Sequence, residues 1–190
     1  MNYLKRAALL SLCMIVILSP SCKKEETAVA APLGNEFLTT TILNLQNVNN
    51  PTDKPWIRYK LIGANPAIIT TSAGIDDTLR LAHNASYTCN IVILDETKTP
   101  ADTVSKVIKE RANIHLFFFR PTPSLSLTDT ITDRDTNVPP LPVGLQSIIR
   151  TGSVCAGSLE VILRHQPNVK NGTYPPGSTD LDVVYPVKIQ

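Results

Sequence analysis

The sequence predicts an all-β fold, an antiparallel, immunoglobulin-like β-sandwich with one short helix. Short runs rich in Thr, Val, Ile and Leu are typical of strands, and 15 prolines punctuate them. One stretch has helical periodicity, whereas a doubly wound α/β fold needs many helices. The spacing of about eight to ten such runs favours a sandwich. A small up-and-down β-barrel is the alternative.

The first half of the predicted domain contains five strands, each bounded by turn signals. The second strand alternates clearly, with Ile57, Tyr59 and Leu61 on one face. The five predicted ranges are residues 37–45, 56–62, 67–71, 78–81 and 87–94.

One helix is predicted after the fifth strand. Thr99 is a good N-cap, Pro100 suits the first helical position, and Asp102 places an acid in the first turn. A narrow stripe facing the sheet then recurs three and four residues apart, at Val104, Val107, Ile108 and Arg111. The helix is predicted to end near residues 112–113.

The second half predicts five more strands. In the last strand, apolar residues occupy every second position over residues 181–189, which indicates one buried and one solvated face. Pro186 has no N–H to donate, so we expect a sheet edge or a bulge there. Two of these strands are predicted to form a hairpin around residues 152–157. The other predicted ranges are residues 114–120, 124–131, 144–151 and 159–165.

The N-terminus has the features of a bacterial lipoprotein leader. Lys5 and Arg6 precede an apolar run, residues 7–18, which suits a secretory signal and is too short to span a bilayer. Cys22 follows Ser21 in an ending that resembles a lipobox, which implies cleavage before Cys22 and its lipidation. An ordinary signal peptide or a membrane helix is the alternative.

Three regions follow from this leader. Residues 1–21 are the predicted signal peptide, residues 22–35 the lipidated cysteine and a flexible tether, and residues 36–190 a single sandwich domain. The charged residues 23–26 resemble an export signal of Bacteroidota surface lipoproteins. We therefore expect a protein anchored to the outer membrane bilayer through Cys22, at the cell surface or otherwise on the periplasmic face.

The charge of the chain argues against nucleic-acid binding. Lys5 and Arg6 account for the net charge of +2, and the remaining lysines and arginines equal the 16 aspartates and glutamates in number. A neutral domain lacks the cationic surface that binds phosphate backbones.

Two cysteines remain once Cys13 leaves with the leader and Cys22 carries lipid. Cys89 lies on the apolar face of a predicted strand, and Cys155 continues the apolar alternation of residues 159–163, so both thiols are predicted to point toward an apolar interior. Because lipidation places the domain outside the cytoplasm, these residues are predicted to form a disulfide. Two buried thiols too far apart to bond are the alternative.

An acidic loop is a candidate calcium site. Asp133, Asp135 and Asn137 place oxygen ligands at alternate positions, as a calcium loop begins. Val138 stands where such a loop has glycine, and Gly144 stands where it has a bidentate glutamate. A solvated turn is therefore the alternative.

Two histidines are candidate ligands for a transition metal. His115 and His165 lie at the ends of predicted strands, where they could meet. Hydrogen-bonded histidines at the edge of the core are the alternative.

No catalytic residues are predicted. The sequence contains neither a Gly-x-Ser-x-Gly elbow nor a glycine-rich phosphate loop. The carboxylate pair of Asp95 and Glu96 marks a turn after a strand. We expect a non-enzymatic protein that needs no cofactor, apart from the calcium or transition metal considered above.

Three segments resemble a known family: residues 94–101, residues 114–118, and the stretch from 142 through 163–167 to 179–183. The family comprises small Bacteroidota lipoproteins, often encoded near TonB-dependent outer-membrane receptors. Its members are often labelled type 1 periplasmic-binding-fold proteins, although that fold needs two α/β lobes and roughly twice this length. The resemblance carries no established site residues.

The resemblance implies a binding role. We expect an accessory partner of an outer-membrane receptor in TonB-dependent nutrient or metal uptake. A structural or adhesive surface module without a small-molecule ligand is the alternative.

Overall fold

The computed structural model describes residues 37–61, the backbone of residues 67–71, and residues 77–190. All of these belong to one unit of the chain, Pro32–Gln190. The predicted leader, Cys22 and the predicted tether lie outside the described residues.

The described residues form eleven strands, one α-helix and one short 3-10 helix, Ala112–Ile114. The elements in chain order are β1 (Thr40–Asn47), β2 (Trp56–Lys60), β3 (Ala67–Thr71), β4 (Leu79–Leu81), β5 (Ser86–Asp95), β6 (Asp102–Thr103), α1 (Val104–Glu110), β7 (His115–Pro121), β8 (Leu127–Ile131), β9 (Gln146–Thr151), β10 (Cys155–His165) and β11 (Ser178–Ile189).

The strands form two sheets. The seven-stranded sheet has the order β3-β2-β1-β5-β9-β8, with β6 paired to β5, and every pair is antiparallel. The four-stranded sheet has the order β4-β11-β10-β7, in which β4 runs parallel to β11. Each sheet keeps two separate edges within the described residues, so the alternative of a closed barrel is not adopted.

The hydrophobic core lies between the inner faces of the sheets, which confirms the predicted all-β sandwich. In β11 the alternate residues 181, 183, 185, 187 and 189 are buried, as the period of two predicts. Leu43 and Ile93 contribute from the other sheet, and both are fully buried. Each such side chain stabilises the fold by about 1.5–3 kcal/mol. Strand alternation in the sequence therefore determines the core.

The helix begins later than predicted. Residues 102–103 pair with β5 as β6, and the Lys98 ammonium donates to the Asp102 carboxylate at 2.9 Å. The start signals therefore belong to a turn, and the helix starts at Val104. Val104 and Ile108 are buried, as the predicted stripe requires. None of the helices in the described part of the chain has the length and apolar character to cross a membrane.

The predicted hairpin of residues 144–151 and 159–165 does not form. β9 lies between β5 and β8, whereas β10 lies between β11 and β7 in the other sheet. Residues between them cross from one sheet to the other, and Gly152 donates its N–H to the Ser126 carbonyl at 2.7 Å. Alternation reveals which face of a strand is buried. It does not reveal which sheet the strand joins, because both sheets bury a face against the same core.

Pro186 lies neither in an edge strand nor at a bulge. β11 pairs with β10 along its length, and Pro186 lies opposite Ser158. On its other side β4 covers only Val187–Ile189. Among the described residues Pro186 therefore has a strand neighbour on one side only, which accommodates its missing N–H.

Candidate functional site

Several segments meet at one end of the four-stranded sheet. The Gln166 N–H donates to the Ile114 carbonyl at 2.7 Å, which ties the end of β10 to the 3-10 helix. The Asn137 amide donates to the Asn113 carbonyl at 3.3 Å, which ties the acidic loop to the same helix. We define the loop end as residues 111–115, 133–142 and 164–180.

A buried ion pair lies at the centre of the loop end. The Lys170 ammonium is 2.8 Å from the Asp135 carboxylate and also donates to the Ala112 carbonyl at 2.8 Å. Both side chains are almost fully buried. Burial opposes the ionisation of Asp135, but hydrogen bonds from Lys170 and from the Leu141 and Asn137 N–H groups hold its pKa below its usual value. The pair links three chain segments.

The acidic loop is a hydrogen-bonded turn, which was the alternative to a calcium site. Asp133 accepts from the Gly144 and Leu145 N–H groups at 2.8 and 3.1 Å. The Asn137 amide donates to the Asp135 carboxylate at 2.8 Å. These carboxylates therefore face N–H donors rather than a shared cavity. Among the described residues no three His, Cys, Asp or Glu side chains are grouped to hold a metal ion.

His115 and His165 do meet, as their positions at strand ends suggested. They are directly paired across β7 and β10, and their rings stack with centroids 5.1 Å apart and planes 19° from parallel. Because the nitrogen lone pairs lie in the ring planes, this stack directs them side by side rather than toward one ion. The transition-metal hypothesis therefore gains no support from the geometry.

His115 is a neutral, buried histidine. Burial lowers its pKa to about 4, although the hydrogen bond with the Arg111 carbonyl, 3.0 Å from Nδ1, raises it. Its Nε2 lies 4.0 Å from the Asp180 carboxylate. Burial raises the pKa of Asp180, which lies in the bulged part of β11. His115 and Asp180 therefore lie next to each other at the loop end.

Arg164 and Gln166 hold the 166–177 loop against the four-stranded sheet. The Arg164 guanidinium donates to the Pro176 and Gly177 carbonyls and lies 4.7 Å from the centre of the Tyr174 ring. Gln166 is fully buried and donates to the Thr173 and Pro176 carbonyls, both at 2.8 Å. The loop is thereby fixed by side chains of β10 and the residue that follows it.

A cleft of about 520 Å³ opens at the loop end. Lys170, already paired with Asp135, is one of its lining residues, so the cleft has little net charge. Val138 lines it with 97% of its surface exposed, and Val169 beside it is 49% exposed. The cleft offers amide hydrogen bonds and apolar contact. Its amide-bearing lining residues are Asn113, Asn137, Asn168 and Asn171.

The predicted disulfide between Cys89 and Cys155 is not formed, because both cysteines are free. Cys89 is buried in β5, where burial raises the pKa of its thiol to about 12. Cys155 begins β10 in the other sheet, and its Sγ accepts the Ser126 N–H at 3.2 Å. Alternation placed both thiols on apolar faces but carried no information on the distance between them.

Sequence reasoning missed Lys170 as a site residue. It stands between Val169 and Asn171 in a polar loop, and no local pattern marks it for burial. Its partner Asp135 was predicted as a calcium ligand, whereas the cation beside this carboxylate in the structure is the Lys170 ammonium. Asp135 and Lys170 are 35 positions apart in the sequence, and the pair is evident only when the fold brings their two loops together.

Comparison of the chain with protein-family models, curated proteins and solved structures gives no match. The family suggested by residues 94–101, 114–118 and 163–167 therefore stays a prediction.

Proposed function

We propose that the protein is a lipid-anchored, non-enzymatic binding protein of the outer membrane whose loop end docks onto an outer-membrane receptor. In this role it is an accessory component of TonB-dependent nutrient or metal uptake. One observation carries the proposal: the exposed Val138 stands over a cleft held in shape by the buried pair of Asp135 and Lys170.

The apolar rim favours a protein partner. Val138 presents an almost fully exposed valine side chain at the cleft, and the half-exposed Val169 lies in sequence between two of the lining residues, Asn168 and Lys170. Apolar side chains surrounded by polar groups are typical of protein interfaces, where they fill pockets of the partner. The neighbouring asparagine amides supply directional hydrogen bonds for such a contact.

The rigidity of the loop end favours docking without rearrangement. Asp135 accepts from Lys170, Leu141 and Asn137, and Arg164 and Gln166 hold the 166–177 loop. A surface fixed before binding loses little conformational entropy on association.

The predicted anchor fits this role. Lipidation at Cys22 would keep the domain within reach of receptors in the same membrane. Substitution Cys22→Ala is expected to release the protein from the membrane fraction, and unchanged fractionation would contradict the anchor.

A pull-down with matched valine variants tests the docking surface. The full-length lipidated protein is used as bait in detergent-solubilised outer membranes, and the co-purified receptor is identified by mass spectrometry. Val138→Asp and Val169→Asp are expected to weaken receptor recovery at least about tenfold, because each places a charge at the interface core.

Val48→Asp and Val184→Asp are the controls, because these valines are 51% and 49% exposed but lie away from the cleft. They are expected to recover the receptor as the unmodified protein does. Recovery of no TonB-dependent receptor, or equal loss in all four variants, would contradict the proposal.

A further inference from the structure

A row of polar residues crosses the outer face of the seven-stranded sheet. Asn44 of β1 is directly paired with Trp56 of β2 and with Asn90 of β5, and Asn90 is paired with Gln146 of β9. Directly paired residues project from the same face of a sheet. Their neighbours Leu43 and Ile91 are buried in the core, so this row faces outward.

The row lies beside a shallow groove of about 310 Å³. Asn44, Asn90 and Trp56 line it together with Gln46 and Lys54. Trp56 is half-buried and Asn90 is exposed. The groove therefore combines one large aromatic ring with several amides on a rigid sheet.

The amides of the row are available to a ligand. Within the described part of the chain, no hydrogen bond engages the side-chain amides of Asn44, Asn90 or Gln146. Each amide offers one acceptor and two N–H donors. Three such groups on neighbouring strands place several donors and acceptors side by side.

The charge of the groove is low. Lys54 is the charged residue among the described residues that line it. Arg58, on the adjacent outward-facing row, is ion-paired with Glu96. On the other side of the row, Asn90 and Gln146 line a second groove together with the exposed Lys106 and Lys109. Lysines at opposite ends of the row do not form the continuous cationic surface that a nucleic acid or an acidic polymer requires, so this surface favours a ligand without charge.

We propose that this row, Trp56–Asn44–Asn90–Gln146, is a binding surface for a neutral glycan chain. Sugar rings present apolar C–H faces that pack on an indole ring and hydroxyls that pair with amide donors and acceptors. The row crosses three inter-strand steps, or about 14 Å, so it contacts consecutive sugars rather than a single one. The surface is separate from the loop end, and glycan binding does not depend on receptor docking.

Affinity electrophoresis tests the proposal. The full-length lipidated protein in detergent micelles is run through native gels that contain hydroxyethyl cellulose, xylan, galactomannan or starch. At least one neutral polysaccharide is expected to retard it. Trp56→Ala is expected to weaken retardation at least about tenfold, and Asn44→Ala or Asn90→Ala about fivefold.

Asn113→Ala is the matched control, because Asn113 is an exposed asparagine of the loop-end cleft. It is expected to leave retardation unchanged. Trp56→Phe, which keeps an aromatic face, is expected to retain part of the binding. Asn90→Ala changes an exposed side chain and so tests the surface even where Trp56→Ala fails to fold.

Fluorescence provides a direct readout, because Trp56 is the chain's single tryptophan. The retarding polysaccharide is expected to change its emission in a saturable titration, equally in low salt and in about 0.5 M salt. Val138→Asp is expected to keep this response, which separates the glycan surface from the receptor surface.

Three outcomes would overturn the glycan surface. These are retardation by none of the four polysaccharides, retardation that Asn90→Ala and Trp56→Ala leave intact, and binding that about 0.5 M salt abolishes.

Discussion

The loop end and the outer face of the seven-stranded sheet both carry asparagines, but they use them differently. At the loop end the Asn137 amide donates to Asp135 and to the Asn113 carbonyl. On the sheet, Asn44 and Asn90 make no side-chain hydrogen bond with another described residue. The same side chain therefore stabilises the fold in one region and is free for a ligand in the other.

This difference separates two kinds of mutational effect. A polar group that is bonded inside the protein leaves an unsatisfied partner when it is removed, which lowers stability. A polar group that faces only water leaves the free energy of unfolding almost unchanged. Substitutions of the hydrogen-bonded side chains at the loop end should therefore change stability, whereas substitutions of Asn44 or Asn90 in the sheet row should change binding alone.

The largest expected effect is at the buried ion pair. Lys170→Met leaves the Asp135 carboxylate buried and uncompensated, which should lower the free energy of unfolding by about 3–5 kcal/mol. Chemical denaturation measures the change. Lys106→Met is the control, because Lys106 is an exposed lysine of α1, and the denaturation midpoint of this variant should stay almost unchanged. Equal midpoints for the two variants would contradict the structural role of Lys170.

A pair of glycines tests how tightly the 166–177 loop is held. Gly177 and Gly172 both have positive φ, +85° and +83°, so alanine strains the backbone at either position. A Cβ at Gly177 would lie 2.1 Å from the His165 carbonyl oxygen, whereas at Gly172 its nearest neighbour is 3.6 Å away. Gly177→Ala should therefore destabilise by about 2 kcal/mol more than Gly172→Ala, as measured by thermal or chemical unfolding. Equal losses would indicate a loosely held loop.

The pH dependence of stability tests the buried state of His115. Its pKa is about 4 in the folded protein and about 6.5 when unfolded, so the unfolded chain binds more protons between these values. Stability should therefore fall by about 2 kcal/mol from about pH 7 to about pH 5. The positive charges of Arg111 and Lys170 and the neighbouring His165 act in the same direction.

His115→Gln should remove most of this dependence, because glutamine does not titrate. Asp180, whose pKa is raised by burial, contributes in the opposite direction, since its folded form binds protons more tightly. Denaturant midpoints across the pH range measure both proteins. Identical pH profiles would show that His115 is accessible to protons in the folded state.

The smallest expected effect compares two asparagines directly. Asn137→Ala removes bonds to Asp135 and to the Asn113 carbonyl and should destabilise by about 1–2 kcal/mol. Asn90→Ala should change stability by less than about 0.5 kcal/mol, because its amide bonds to no described residue. The two unfolding curves, measured side by side, decide whether the regions differ as described.

Local patterns in the sequence predicted much of the fold. The alternation of residues 181–189 identified a strand with one buried face, and Val104 and Ile108 identified the buried stripe of the helix. Sheet membership could not be predicted, because β9 and β10 bury side chains in one shared core. The alternation at Cys89 and Cys155 likewise predicted thiols that face the core, and Cys89 is buried and Cys155 half-buried, but it did not predict the distance between them.

The site was less predictable than the fold, because long-range pairing creates it. His115 and His165 were placed at strand ends, and register then brought their rings together. Asp135 carried a visible oxygen-rich pattern, yet its cation is Lys170 from a distant loop. The glycan row depends on the pairing of four strands, and local alternation does not specify which strands become neighbours.

Glycan binding by Asn90→Ala and Asn137→Ala tests the difference between the two regions most directly. Both variants are titrated with the retarding neutral polysaccharide while Trp56 emission is recorded. We expect Asn90→Ala to bind about fivefold more weakly and Asn137→Ala to bind as the unmodified protein does. Equal weakening in both variants, or unchanged binding in both, would contradict the account.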